Sequence, residues 1–335
     1  MHPNDISGLV LFSGIGGSSL GLHLAGITDT VSVEWDAAIA AAANDNGINT
    51  VCVDVRTLDP LDFVKKNLRR RTGRYLMLQA SPPCTSFSPA GKQNGKNDLP
   101  VLTSLLKMIG AYGPEQMSAP NIREHFRAVV AAECQAETSA LSLEPIFWIA
   151  ALMPDFISFE QVTQVQPLWD IYAEVLKDWG YSVWTGKVSA ETLGVPQTRK
   201  RSYLLASLHG PVEAPAATHS RFYPRSPEKL DEGLPKWISM AEALSVRPDG
   251  RFVGTQTPRG AAVRHSRSTS APSQTLTSSA GSFRLEEVDP GAGNLVMVSN
   301  YGTGGDPRNR GKRSFDEPCA TVTSKIDRNR IEEAA

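Results

Sequence analysis

Short apolar runs alternate with helical stretches through the first eighty residues, and few architectures satisfy that alternation. Gly8-Leu9-Val10-Leu11-Phe12 runs into Ser13-Gly14-Ile15-Gly16-Gly17, after which Leu20, Leu24 and Ala25 fall at helical spacing. That is strand, glycine turn, helix. Thr30–Val33 forms a second strand closed by Glu34-Trp35-Asp36, and the alanine-rich Ala37–Ala43 follows as helix. Val51–Val53 ends at Asp54 and leads to a helix near Pro60–Leu68, and Tyr75–Leu78 is a fourth buried strand. Strands joined by helices predict a doubly wound, mostly parallel sheet whose carboxyl ends open onto one edge, where such sheets bind ligands.

At that edge stands Ser81-Pro82-Pro83-Cys84, followed by the small and polar stretch Thr85–Gln93. Two prolines hold the backbone extended before the thiol. Gly91 and Lys92 suit a mobile loop. The bland alternative for Cys84 is a buried thiol serving as a small hydrophobe. Three further groups close successive strands. Glu34 can accept from a ribose, Trp35 can stack on a purine, and Asp54 can accept from an exocyclic amine. Each has an ordinary structural explanation as cap or core; together they compose an adenosine pocket.

Downstream, the periodicity predicts a helical excursion over 94–140 (Leu102, Leu105, Leu106, Ile109; Phe126, Val129, Val130), then a helix over Leu141–Leu152. A strand at Phe156–Phe159 closes on Glu160-Gln161-Val162. A helix over Leu168–Trp179, a strand near Ser182–Val188 and a last strand, Ser202–Ser207, follow. Beyond Gly210 the chain turns irregular and rich in Pro, Ser, Thr, Gly and Arg, with one short helical piece at Ile238–Leu244. The stretches 270–278 and 316–324 repeat a proline-then-alternating-threonine pattern that predicts two short strands of one small β-unit. The expected division is a catalytic domain over 1–210 and a smaller, irregular β-rich domain over 211–335.

With 335 residues the chain can bury a sizeable core, and a net charge of −1 confines any anion-binding surface to local patches. Six arginines between Arg247 and Arg284 (Arg247, Arg251, Arg259, Arg264, Arg267, Arg284) form one patch, and Arg308, Arg310, Lys312 and Arg313 another. Both fit phosphate contact, and both equally fit a solvated surface. Lys65 to Arg74 is a basic run best read as a solvated helix end. The four cysteines are scattered with no metal-type pairing, which predicts a reducing compartment and no metal. No apolar run reaches membrane-span length.

The order and wording of these pieces resemble the cytosine-5 DNA methyltransferases. Phe12, Gly14, Gly16 and Gly17 match the family's glycine motif, and Glu34-Trp35 its ribose and adenine contacts. Asp54 matches the third-strand acid. Pro82-Pro83-Cys84 with Phe87-Ser88 and Gly91-Lys92-Gln93 matches the nucleophile loop. Glu160-Gln161-Val162 resembles Glu-Asn-Val, and Gln197-x-Arg199-x-Arg201 resembles Gln-x-Arg-x-Arg. Gln161 stands where the family usually has Asn, and Thr85 where it often has Gln.

The resemblance implies a class I methyltransferase (Rossmann-like) fold, with S-adenosyl-L-methionine held by Phe12, Gly14, Gly16, Gly17, Glu34, Trp35, Asp54 and Pro82. It implies catalysis by Cys84, Glu160, Arg199 and Arg201, substrate contacts at Pro83, Ser88 and Gln93, and 211–335 as target-recognition domain. Double-stranded DNA is the implied partner, in the cytoplasm of a prokaryotic or phage-infected cell. An RNA substrate, or a non-catalytic subunit of a split enzyme, are the alternatives. The family's closing Gly-Asn-x-Val-Pro-Pro segment is missing, which predicts a truncated chain, a second chain that supplies the segment, or its loss.

Overall fold

The computed structural model describes residues 2–68, 75–83, 87, 95–244, 251–256, 263–268, 270–274 and 280–286. The described residues form two units. One comprises 1–188 with 201–215, the other 189–200 with 216–335.

In the first unit β1 (Ile6–Leu11), α1 (Gly17–Leu24), β2 (Asp29–Glu34), α2 (Ala37–Asp45), β3 (Thr50–Cys52), α3 (Pro60–Asn67) and β4 (Tyr75–Ala80) follow the alternation read from sequence. The excursion supplies α4 (Gly95–Met117), α5 (Pro120–Glu133) and α6 (Glu137–Ala140). Then come α7 (Glu144–Leu152), β5 (Phe156–Gln161), α8 (Gln166–Asp178) and β6 (Ser182–Ser189). After β7 (Gln197–Thr198) the chain returns to the sheet as β8 (Lys200–Ser207). The seven strands lie in the order β3-β2-β1-β4-β5-β8-β6. Strands β1 to β5 are mutually parallel and β8 runs antiparallel to β5.

Strand alternation divides the core. Leu9 and Leu11 join Leu76, Leu78, Val31 and Val33 in the larger cluster, with residues of α3, α4, α5, α7 and α8. Val10 belongs to a smaller one with Leu22 of α1 and Ile27. Side chains on one strand point alternately to the two faces, so the sheet is covered on both. The elements start where local chemistry dictates. Asp36 caps α2, accepting from the amides of Ala38 and Ile39, and Asp59 caps α3 ahead of Pro60, a residue preorganised for a first helical turn. In the excursion, Leu102, Leu105, Leu106, Ile109, Phe126 and Val130 are all buried, as their spacing predicts. Gly113 (φ 74°, ψ 161°) breaks α4 ahead of Pro114.

In the second unit, β9 (Arg251–Gln256) is the middle strand of an antiparallel sheet with β10 (Val263–Ser268) and β12 (Ala280–Glu286). A short α9 (Met240–Leu244) lies near a small core of Phe222, Trp237 and Ala271. Strand β11 (Ser273–Gln274), inside the first copy of the sequence repeat, pairs in parallel with β7. The second copy, 316–324, lies outside the described residues. Among the described residues no helix is long and apolar enough to cross a membrane.

Candidate active site

Five parallel strands present their carboxyl ends to one edge, and the sequence places polar or glycine-rich residues at each. β1 ends in a turn that only small or strained residues can make. Phe12 has φ 57°, Gly14 φ 56° and Gly16 φ 89°. A non-glycine residue in the left-handed region costs on the order of 1–3 kcal/mol, a cost met only where the surroundings fix it. A Cβ on Gly16 would approach Ile48 to 2.8 Å, while the space above Gly14 and Gly17 is open. Gly16 begins α1 without a capping side chain.

Glu34, at the end of β2, is 7% exposed. Its Oε2 accepts from the Gly14 amide at 2.9 Å, and its Oε1 from the amides of Trp35 and Asp36 at 3.0 Å each. Three amides thus lock the carboxylate against the glycine turn. Trp35 beside it is 75% exposed, an unusual state for the largest apolar side chain. Asp54, two residues beyond β3, accepts from the Arg56 guanidinium, with Nη2 to Oδ2 at 2.7 Å. Arg56 holds its carboxyl below the ordinary aspartate range, chiefly through that side-chain hydrogen bond.

The chain leaves β4 along the same edge. The Ser81 amide donates to the carbonyl of Leu11 at 3.3 Å, Pro82 is buried and Pro83 is half-buried. Cys84, Ser88 and Gln93 lie outside the described residues. Phe87 is 1% exposed and packs in the main core. Gln161, at the end of β5, is 3% exposed. Its Nε2 donates to the Pro82 carbonyl at 2.5 Å, and its Oε1 accepts from the Val162 amide.

Glu160 and Arg201 meet through strand register. Glu160 lies opposite Tyr203 and Gln161 opposite Ser202 in the antiparallel β5–β8 ladder, which makes Arg201 the diagonal neighbour of Glu160 on the same face. Arg201 Nε lies 3.0 Å from Glu160 Oε1, with the two side chains 17% and 22% exposed. Arg199 belongs to the second unit, where its carbonyl accepts from the Ala190 amide at 2.8 Å and its own amide donates to Gln197. Of the described cysteines, Cys52 is exposed, while burial, then Asp98 and Glu133, push the Cys134 thiol up to about 11.

The glycine turn, Glu34, Asp54, Pro82, Glu160 and Arg201 therefore share one sheet edge. The family profile described as C-5 cytosine-specific DNA methylase matches residues 6–124. Over that segment the chain is similar to that family. The matched segment holds the glycine turn, Glu34, Asp54 and Pro82–Cys84, and Glu160 and Arg201 lie beyond it. DNA (cytosine-5)-methyltransferase 1 of Mus musculus is 26% identical over 301 residues, covering 87% of this chain and 15% of that protein. The chain thus spans a small part of that relative. Type II methyltransferase M.AquIA of Picosynechococcus sp. is 25% identical over 247 residues, covering 71% of this chain and 87% of that protein. The crystal structure of S. pombe Dnmt2 methyltransferase has a TM-score of 0.42 and 20% identity, covering 62% of this chain and 52% of its own.

One residue of this edge escapes a reading of the motifs alone. Arg56, two positions after Asp54, carries no signal beyond its spacing.

Proposed function

We propose that the methylase domain transfers a methyl group from S-adenosyl-L-methionine to carbon 5 of cytosine in DNA, through a transient bond between Cys84 and carbon 6. The observation that supports this most is the convergence of the locked Glu34, the approach to Cys84 and the Glu160–Arg201 pair on one edge. The residues fit the cofactor: open space above Gly14 and Gly17, an uncapped helix start at Gly16, an exposed Trp35 face and two carboxylates at neighbouring strand ends. Bound there, the cofactor supplies an electrophilic methyl on its sulfonium.

Cys84 as thiolate adds to carbon 6 of the ring, which breaks aromaticity and places enamine density on carbon 5. Glu160 delivers a proton toward ring nitrogen 3 as that density develops. Arg201, hydrogen-bonded to Glu160, presents a permanently charged guanidinium to the exocyclic oxygen. After transfer, loss of the carbon 5 proton to a base expels Cys84 as thiolate, and return of the nitrogen 3 proton to Glu160 restores the neutral aromatic ring. The reacting atoms lie within the base stack of a duplex, so the cytosine must be rotated out.

The second unit is the candidate reader of sequence. Its three-stranded sheet sets Arg264 opposite Thr255 and Arg284 opposite Val253, with Arg251 on the middle strand, and arginine is the commonest side chain to read guanine. Incubation with tritiated S-adenosylmethionine tests the proposal. Label should enter duplex DNA and not folded RNA, and Cys84→Ala should abolish it. Label in RNA alone would reassign the substrate; label in neither would end the enzymatic reading.

A further inference from the structure

We propose that the helical excursion over 95–140 is a specificity brace, which fixes Asp54 to read the exocyclic amine of the cofactor's adenine. This rests on the cofactor reading above and gives the excursion a role in it.

The segment from Asp54 to Asp62 is gripped from the excursion at two points. At the first, Arg56 binds Asp54 through Nε and Nη2 and extends Nη1 to Glu137 of α6, at 2.8 Å. At the second, Asp59 caps α3 with Oδ1 and accepts from Arg123 of α5 with Oδ2, at 2.7 Å. Arg123 is 3% exposed. The excursion is itself fixed close to Glu137. Asp98, 1% exposed, accepts from the amides of Gln135 and Ala136 at 2.9 and 3.1 Å, and Arg127 of α5 pairs with the buried Glu144 of α7. Oδ1 of Asp54 accepts from the Arg56 amide and Nε, and Oδ2 from Nε and Nη2. The direction the carboxylate presents to a further donor is therefore set by a guanidinium that Glu137 holds. Arg56 and Glu137 are positioning residues: neither needs to touch the ligand.

A ligand pair that differs only at the amine isolates the effect. S-adenosylhomocysteine carries it, whereas S-inosylhomocysteine has a carbonyl oxygen in its place. Wild type should prefer the adenosyl ligand in calorimetric titration. Glu137→Gln should weaken the adenosyl ligand roughly fivefold or more, the low end of ordinary coupling between sites, and leave the inosyl ligand unchanged. The Glu137 side chain is 72% exposed, so the melting temperature should barely move, while amide exchange over 55–62 should quicken. Arg56→Gln should match the loss, and adding Glu137→Gln to it should cost nothing further.

Equal weakening of both ligands, unchanged affinities, or additive losses would each overturn the brace while leaving the pocket in place. A wild-type protein that binds neither ligand would remove the cofactor reading itself, and the brace with it.

Discussion

The side-chain amide of Gln161 donates to the carbonyl of Pro82 at 2.5 Å, which ties the end of β5 to the segment that leads into Cys84. Glu160, next to it, faces Arg201. One dipeptide therefore carries both the acid we propose and the contact to the segment ahead of Cys84.

Replacing Gln161 with Leu should leave the Pro82 carbonyl without its buried donor, at a cost of about 1–3 kcal/mol in stability. Methyl transfer should fall at least tenfold in kcat with little change in cofactor affinity. Gln161→Asn keeps an amide and should retain more activity than Gln161→Leu. Chemical denaturation and steady-state kinetics on the two variants check this; equal activity in both would mean the amide does not position the loop.

Phe87, three residues after Cys84 in sequence, packs in the main core. Phe87→Ala removes a side chain that is 1% exposed and should cost about 3–5 kcal/mol. Phe87→Leu, which refills part of the volume, should fold normally and lose kcat while binding cofactor as the wild type does. A Leu variant with wild-type turnover would show that this packing serves stability alone.

The Asp54–Arg56 pair makes a pH-dependent contribution whose sign is fixed. Arg56 lowers the folded-state pKa of Asp54 below the ordinary 3.8. The stabilisation is therefore present above about 3.8 and is lost as pH falls through the lowered folded value. Urea unfolding of wild type against Arg56→Gln should show a gap at pH 7 and pH 5 that closes below 3.8. A gap of constant size across that range would place the effect of Arg56 elsewhere.

The alternation of β1 to β4 with α1 to α3 was legible because each strand is a compact apolar run, α1 opens on a glycine turn, and α2 and α3 open on a capping aspartate. The same pattern located Glu34 and Asp54 at strand ends. The Glu160–Arg201 contact was not legible as geometry, since it depends on β8 entering the sheet antiparallel to β5, and spacing alone carries no strand direction. The pairing of Ser273–Gln274 with Gln197–Thr198 was hidden for a related reason, because two-residue strands have no period to read. The clamp on 54–62 escaped because its members, Arg56, Asp59, Arg123 and Glu137, each look like ordinary surface charge. Only the folded chain brings them into contact.

The most direct measurement is a covalent trap. A duplex carrying 5-fluorocytosine at the target position cannot lose its carbon 5 substituent, so a thiolate added at carbon 6 stays attached. With S-adenosylmethionine present, the wild-type chain should form a denaturant-resistant complex whose cross-linked peptide contains Cys84, and Cys84→Ala should form none. A complex that survives in Cys84→Ala, or active protein that labels DNA without ever being trapped, would contradict the central claim.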